Sequence, residues 1–514
     1  MKRIFLSVLC ILLCGLMGCS LIKEPYVPTG DGLAPDEEEI PGADISTEPP
    51  AEQDLVLVYY PEITMNPYAC TDFTNRALFS LIYQSLFNMD SNYNVSPILC
   101  SRYTMSENMR TYSFYIEDAT FSDGTPLTID DVYASLQAAR VSSVYKGRFL
   151  HVTSVYINES GGINIQLDTP YENFPILMDI PIVKAAEVAV DRPLGTGPYY
   201  WEEAPSGTRL RRRNDWWCDP EILITASSIS LIEAESNAQI RDAFEFSNVG
   251  LVCTNPGSDN YSNYRCDYEL WDCENGVFLY IGCNTESPVF SKLPVRSALT
   301  YAIDRSAIVE KYYSDFAHAA TLPASPLSPY YNSSLAANYA YDPERFIEAL
   351  NNNYASGATV RLLVNKGDTL RQRVAREIGK MLEACGLVVE MVEANRSDYF
   401  YYLGIGEFDL YVSQTRLSPN MDLTAFFKQN GALRYGGMTD PAIYSLCLEA
   451  LANKGNYLNL HKMVADDGRL CPVLFQTYNV HSTRGLLTGL IPSRDNVFYY
   501  SLGKTMDDIW EYPS

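Results

Sequence analysis

The chain has 514 residues, a hydrophobic share of 47% and a formal net charge of −25, from 63 acidic against 38 basic residues. That length supports two or three core-bearing units, and the hydrophobic share is that of a globular protein. The charge argues against nucleic acid, or an anionic membrane surface, as a partner held by electrostatics.

Lys2 and Arg3 precede an apolar run over residues 4–17 that ends in Leu16-Met17-Gly18-Cys19. The run is too short for a comfortable membrane span. Small residues before a Cys at the end of such a run look like a lipobox, the alternatives being a plain signal peptide or a short anchor. Residues 1–18 are then a lipoprotein signal peptide, and acylated Cys19 is the mature N-terminus. Residues 19–54 carry Pro25, Pro28, Pro35, Pro41, Pro49 and Pro50 with Asp36-Glu37-Glu38-Glu39. Such a segment cannot bury a core and predicts an acidic tether reaching on the order of 30 Å. No other stretch is long and apolar enough to span a membrane. The folded body is therefore expected outside the cytoplasm, on the periplasmic face or a Gram-positive cell surface, held to the membrane by its N-terminal lipid only.

The body opens with a candidate strand over residues 54–60, closed by Pro61, and a loop at Met65-Asn66-Pro67-Tyr68. Apolar residues at helical spacing (Ala77, Leu78, Leu81, Ile82, Leu86) predict a helix over residues 74–88. Around Tyr112, Phe114 and Ile116 the alternation predicts a strand with one buried face. Asp123-Gly124-Thr125-Pro126 is turn chemistry, and Thr128 with Asp131 starts a capped helix whose stripe is Val132, Leu136 and Ala139. Residues 163–167 are a short strand. Gly195-Thr196-Gly197 lacks the spacing of a phosphate-binding loop. The cation run at Arg209 to Arg213 fits an alternating strand edge. Further on come a strand over 276–284 and a helix over 295–311, with Arg296, Asp304 and Arg305 on its polar face. A proline-stiffened loop at Pro323, Pro326 and Pro329 follows, then strand 358–365, helix 370–385 ended by Gly386, strand 387–392 and strand 408–412. This alternation implies an α/β unit with a mixed sheet.

Five blocks stand out by their wording. They are Met65-Asn66-Pro67; Ser96-Pro97-Ile98-Leu99; Phe121-Ser122-Asp123-Gly124-Thr125-Pro126-Leu127 with Asp130-Asp131-Val132; Gly195-Thr196-Gly197-Pro198-Tyr199 followed by Asn214-Asp215-Trp216-Trp217; and the run from Val295 to Arg305, VRSALTYAIDR. In this order they resemble the family 5 extracellular solute-binding proteins, which include the dipeptide-, oligopeptide- and nickel-binding proteins of ABC importers. The resemblance implies a two-lobed periplasmic-binding-protein-like clamshell of type II, with an enlarged first lobe and mixed sheets. Lobe I would be 55–275 with 480–514, and lobe II 276–479. It also implies a monomer that captures a small solute, probably a peptide, between the lobes and docks on an ABC permease, without enzymatic activity or cofactor.

In the peptide-binding branch an Asp four residues before a Pro grips the ligand ammonium. Here Thr415 stands at that position, with Arg416 beside it and Pro419 after it. A hydroxyl cannot neutralise a buried ammonium, whereas a guanidinium suits a carboxylate or phosphate. Arg416 either serves a ligand acid or faces solvent or an acid such as Asp422. The resemblance further implies apolar walls from Tyr399 and Tyr411, polar contacts from Ser413 and Gln414, and Glu62 and Thr64 from the other lobe, with Glu62 a replacement for the lost Asp.

Two other readings compete. One is a surface or adhesion lipoprotein without transport on the same fold. The other is a penicillin-recognising serine enzyme, on Ser143-Val144-Tyr145-Lys146 and Ser258-Asp259-Asn260; its third element, Lys-Thr-Gly, is absent, since Lys504-Thr505 is followed by Met506. The four histidines, His151, His318, His461 and His481, are scattered and imply no metal site. The ten cysteines after Cys19 fit either disulfides or buried thiols. The lipobox carries a direct test: Cys19→Ala should leave the precursor unprocessed or release the protein from the membrane fraction, read by fractionation and intact mass.

Overall fold

The computed structural model describes residues 55–511 apart from 206, 219–220, 223–225, 256–263, 315, 488–489 and 495. Cys19, the tether and Ser258-Asp259-Asn260 therefore lie outside the described residues. The strands that carry the architecture begin with β1 (Leu55–Tyr59), β2 (Cys100–Met105), β3 (Thr111–Ile116), β4 (Val152–Ile157) and β5 (Ile163–Leu167). They continue with β6 (Tyr199–Ala204), β7 (Gly207–Arg212), β8 (Ser228–Glu233) and β9 (Leu251–Thr254). The last are β10 (Tyr268–Cys283), β11 (Thr359–Asn365), β12 (Val388–Ala394), β13 (Leu410–Arg416) and β14 (Leu470–Thr483).

Three larger sheets result. One has the order β1-β8-β7-β6, with β1 and β8 parallel and the other pairs antiparallel. The second is antiparallel, β2-β3-β5-β4. The third runs β9-β14-β10-β13-β11-β12, with Ala317–Ala319 added against β14. It is parallel only where β11 meets β12 and β13. The fold is thus α/β with mixed sheets, as expected. Among the described residues no helix is long and apolar enough to cross a membrane.

Strand alternation explains the two cores. Facing residues of β10 and β13 share a sheet face, so Phe278, Tyr280 and Tyr411 enter one cluster while Leu279, Ile281, Leu410 and Val412 enter another. The third sheet is therefore buried on both faces. On β7, Arg209 sits opposite Glu202 of β6 and pairs with it; the cation run lies on a strand, but an interior one flanked by β6 and β8 rather than an edge.

The motif blocks hold one another. Asp131 accepts from the Thr128 backbone at 2.8 Å and from its hydroxyl at 2.6 Å, while its other oxygen takes the Ala185 N–H at 2.7 Å. The start of the helix Ile129–Val141 is thereby tied to a distant loop. The Ser122 N–H donates to the Gly195 carbonyl. A Cβ on Gly195 or Gly197 would strike the carbonyl oxygens of Ile82 and Leu81, so both glycines serve backbone-on-backbone packing. Trp216 caps this contact by donating to the Thr196 carbonyl at 2.8 Å.

Two helix expectations fail. Residues 74–88 hold two four-residue helices, Phe73–Arg76 and Phe79–Ile82, followed by strand pairs at Gln84–Ser85 and Phe87–Met89. The apolar run there is buried all round, so its spacing does not separate helix from strand. The run at 295–311 breaks into Leu293–Ala298, a 3-10 turn and Arg305–Tyr312, because Ile303 is extended and Asp304 caps the new helix through the Ala307 N–H.

Its arginines are also not on a wet face. Arg296 is buried, reaching the carbonyls of Asp467 and Phe290, each at 2.9 Å. Arg305 is 4% exposed and donates to the carbonyls of Pro472, Thr300 and Ile303 and to the Thr300 hydroxyl. Burial lowers its pKa, as expected for a cation taken out of water among neutral acceptors. Removing it strands several buried acceptors. Arg305→Met should lower the unfolding free energy by about 2–4 kcal/mol, read from the shift of the urea midpoint.

Candidate functional site

β13 ends in a cavity. Its floor and one wall are Thr415, Arg416, Leu417, Ser418 and Pro419. The opposite wall is the segment between the helix Ile129–Val141 and β4, from Ser143 to Arg148. Arg76 and Arg494 complete it, around a volume of about 240 Å³. Arg148 pairs with Asp179 and donates to the Leu177 carbonyl at 3.2 Å. Arg76 donates to the Cys70 carbonyl and the Tyr145 hydroxyl, each at 3.4 Å, and lies over the Tyr145 ring. Ser143 and Lys146, two of the residues behind the serine-enzyme reading, stand in this arginine-rich wall.

The other face of β13 opens on a second cavity of about 270 Å³. Gln414 lines it with Gln476, Asn255, Asn275 and Asp368, so amides dominate its surface. Gln476 donates to the Gln414 side chain at 3.3 Å. Between the two cavities runs the irregular stretch of β10, where pairing with β14 shifts register between Glu274 and Phe278. Gly276 sits there at φ +68°, its carbonyl accepting from the Leu417 N–H at 3.0 Å. The Arg494 guanidinium fills the space a side chain at 276 would need.

The expected site residues are spread over several places. Gln414, Thr415 and Arg416 reach the cavities, and Ser413 is half-buried on the same strand. Tyr399 is buried, its hydroxyl donating to the Val412 carbonyl at 3.0 Å, so it braces β13 from behind. Tyr411 is buried with its ring across Gly282. Glu62 is exposed, and the Thr64 hydroxyl donates to Asp191 at 2.6 Å; neither lines the two cavities. Arg76, Arg148 and Arg494 were not foreseen, since nothing in their local sequence separates them from surface arginines.

His151 is the other addition. Among the described residues no cluster of His, Cys, Asp or Glu could hold a metal ion. Its Nδ1 lies 2.8 Å from Asp168 and its Nε2 3.1 Å from Asp422, 271 residues away. The ring thus joins the two chain segments that form the opposing cavity walls. Both nitrogens face carboxylates, which the imidazolium satisfies with two donors. Burial alone would lower its pKa, but the hydrogen bonds and charges of Asp422 and Asp168 outweigh it and raise the pKa. For Asp422, burial pushes upward, and His151 together with the hydrogen bonds from Thr424 more than compensates, leaving it lowered.

Linkage gives the sign. The stability owed to His151 is fully present below the unfolded imidazole pKa of about 6.5 and is lost as pH rises through its higher folded value. His461 and His481 are held down by burial, to about 3 and about 4, so they are neutral in the folded protein while their unfolded imidazoles still lose protons just above pH ~6.5, a contribution that rises with pH and opposes that of His151. The His151 component of stability should therefore fall between about pH 6.5 and 7.5, by no more than about 1.4 kcal/mol per pH unit for one proton. His151→Asn should remove that component, leaving a slope of stability against pH more positive than the wild type's in urea titrations. An unchanged slope would remove the pin from the account.

Comparison with known proteins agrees with the fold. Residues 94–432 match the family described as bacterial extracellular solute-binding proteins, family 5 Middle. The glutathione-binding protein GsiB of Salmonella typhi is 23% identical over 351 residues, which is 63% of this chain and 66%, just under two thirds, of that relative's length. HbpA2 from Haemophilus parasuis superposes with a TM-score of 0.72 at 18% identity, covering 88% of this chain and 98% of its own. The ABC transporter substrate-binding protein CtaP from Listeria monocytogenes gives 0.67 at 17% identity, covering 87% and 99%. These structures speak for the fold alone. The family match covers well over half the chain, along the stretch that carries β2 through β13: the chain belongs to family 5 of the bacterial extracellular solute-binding proteins.

Proposed function

We propose that the protein is an extracytoplasmic, lipid-anchored binding protein that captures a peptide or similar small solute and delivers it to an ABC permease. Family membership supports solute capture, and the names of its relatives, a glutathione-binding protein among them, support a peptide-like solute. The anchor rests on the Leu16-Met17-Gly18-Cys19 sequence. The single observation that carries the reading is the cavity at the end of β13, whose walls come from residues 143–148 on one side and 415–419 on the other.

In this reading lobe I is 55–275 with 480–514, and lobe II is 276–479. The solute lies against Gln414, Thr415 and Arg416. The lobes close about the interrupted stretch of β10 at Asn275-Gly276-Val277, and ligand favours the closed form by its differential affinity for it. The closed monomer docks on the permease. An adhesion protein on the same fold would need neither closure nor a bound small molecule.

Two measurements test this. Mass spectrometry of solutes released from the freshly purified, denatured protein should identify a stoichiometric small molecule. Small-angle scattering before and after its re-addition should show compaction. A protein that carries no solute and keeps one shape with every candidate added would leave the adhesion reading standing.

A further inference from the structure

The cavity between residues 143–148 and 415–419 is lined by Arg76, Lys146, Arg148, Arg416 and Arg494, with no Asp or Glu among its lining residues. In a chain with 63 acidic against 38 basic residues, composition would favour the opposite balance. Part of the positive charge is already engaged, since Arg148 has Asp179 and Arg76 has the Tyr145 ring and a carbonyl. Arg494 is different. It is 4% exposed, donates through one nitrogen to the Leu417 carbonyl, and its Nε and Nη1, both shielded from water, have no hydrogen-bond partner among the described residues. The carboxylate whose charge it feels is that of Glu274, whose Oε2 accepts from the Tyr93 hydroxyl at 2.7 Å and whose Oε1 has no hydrogen-bond partner among the described residues. A buried guanidinium with unmade donors is costly unless something supplies the acceptors.

We propose that this cavity receives the oxyanion end of the solute, a carboxylate or phosphoryl group, with Arg494 as the buried anchor and the exposed Arg416 and Lys146 at the entrance. The inference rests on the solute-binding reading and names the chemistry at one end of that solute. The geometry of a guanidinium fork suits such a group through parallel hydrogen bonds. A volume of about 240 Å³ is below the usual range for a whole ligand and fits one residue-sized end of it. The hydroxyls of Ser143, Thr415 and Ser418 also line the cavity and add donors. The opposing walls come close at Gly147, where a Cβ would stand 3.5 Å from Ser418 Oγ, an ordinary contact that a longer side chain would extend into the cavity.

The test uses the full-length protein in detergent and calorimetry with stated probes: the tripeptide Ala-Ala-Glu, its form amidated at both carboxyls, its N-acetylated form, and inorganic phosphate. The free acid should bind, amidation should weaken it by about tenfold or more, and acetylation should cost less than about threefold. Arg494→Met, Arg416→Ala and the cavity-filling Gly147→Leu should each weaken the free acid by about tenfold. If Arg494→Met does not fold, the other two variants carry the test. Binding of phosphate alone, lost in the same variants, supports the site and assigns it to phosphoryl compounds. Equal binding of the acid and its amide, or wild-type affinity in both Arg416→Ala and Gly147→Leu, would overturn the inference while leaving solute capture intact. No binding of any probe also overturns it, and solute capture then stands or falls on the molecules released from the purified protein.

Discussion

The antiparallel pairing of β10 with β14 is the constraint on which the remaining structure depends. These strands have 16 and 14 residues, well beyond the usual strand length, and extend on the order of 50 Å. At one end β9 pairs with β14 and at the other β13 pairs with β10, so a single hydrogen-bonded ladder links the two halves of the third sheet. Ladder bonds resist shear along their whole length. The register shift near Gly276 is therefore where the ribbon can bend at least cost, and it lies between the two cavities.

Buried arginine is used in two ways around this ribbon. Arg296 and Arg305 are saturated by carbonyls, including those of Asp467 and Pro472, and act as fixed braces for the start of β14. Arg148 is similarly occupied by Asp179 and a carbonyl. Arg494, pressed against the glycine of the register shift, is left with donors to spare. The contrast separates arginines that hold the fold from one whose hydrogen bonding is incomplete. His151 belongs with the first group in burial but differs in strength, because its bonds to Asp168 and Asp422 depend on a proton.

Local chemistry in the sequence was a good guide to elements with strong boundaries. The helix Thr369–Ala384 starts at an Asp368 cap and ends before Gly386 at φ +97°, and both signals are visible in the letters. β5 and β11 were equally legible from apolar runs between turn residues. The run from Val295 misled because Arg, Asp and Arg look like a wet face, while their burial is decided by carbonyls of residues 467 and 472 that only the tertiary fold delivers. The same limit hid most of the candidate site. Thr415 and Arg416 lie in a recognisable stretch before Pro419, but Arg76, Arg148 and Arg494 come together from three distant segments with no local signature. Glu62 and Thr64 were placed by analogy, and a loop contact to Asp191 holds the latter elsewhere.

The cation-lined cavity sits in a chain whose formal net charge is −25. At physiological ionic strength charges are screened beyond about 8 Å, so the negative surface repels an approaching anion only within a thin shell around the molecule, and the arginines attract it only close to the cavity. Added salt shortens the repulsive shell first and acts less on the buried contacts, so it should speed entry of an anionic solute even as it weakens the exposed contacts at the entrance. A cation would experience the reverse, drawn towards the surface and turned away at the arginines. Selection between ions of opposite sign is thus divided between distance and contact.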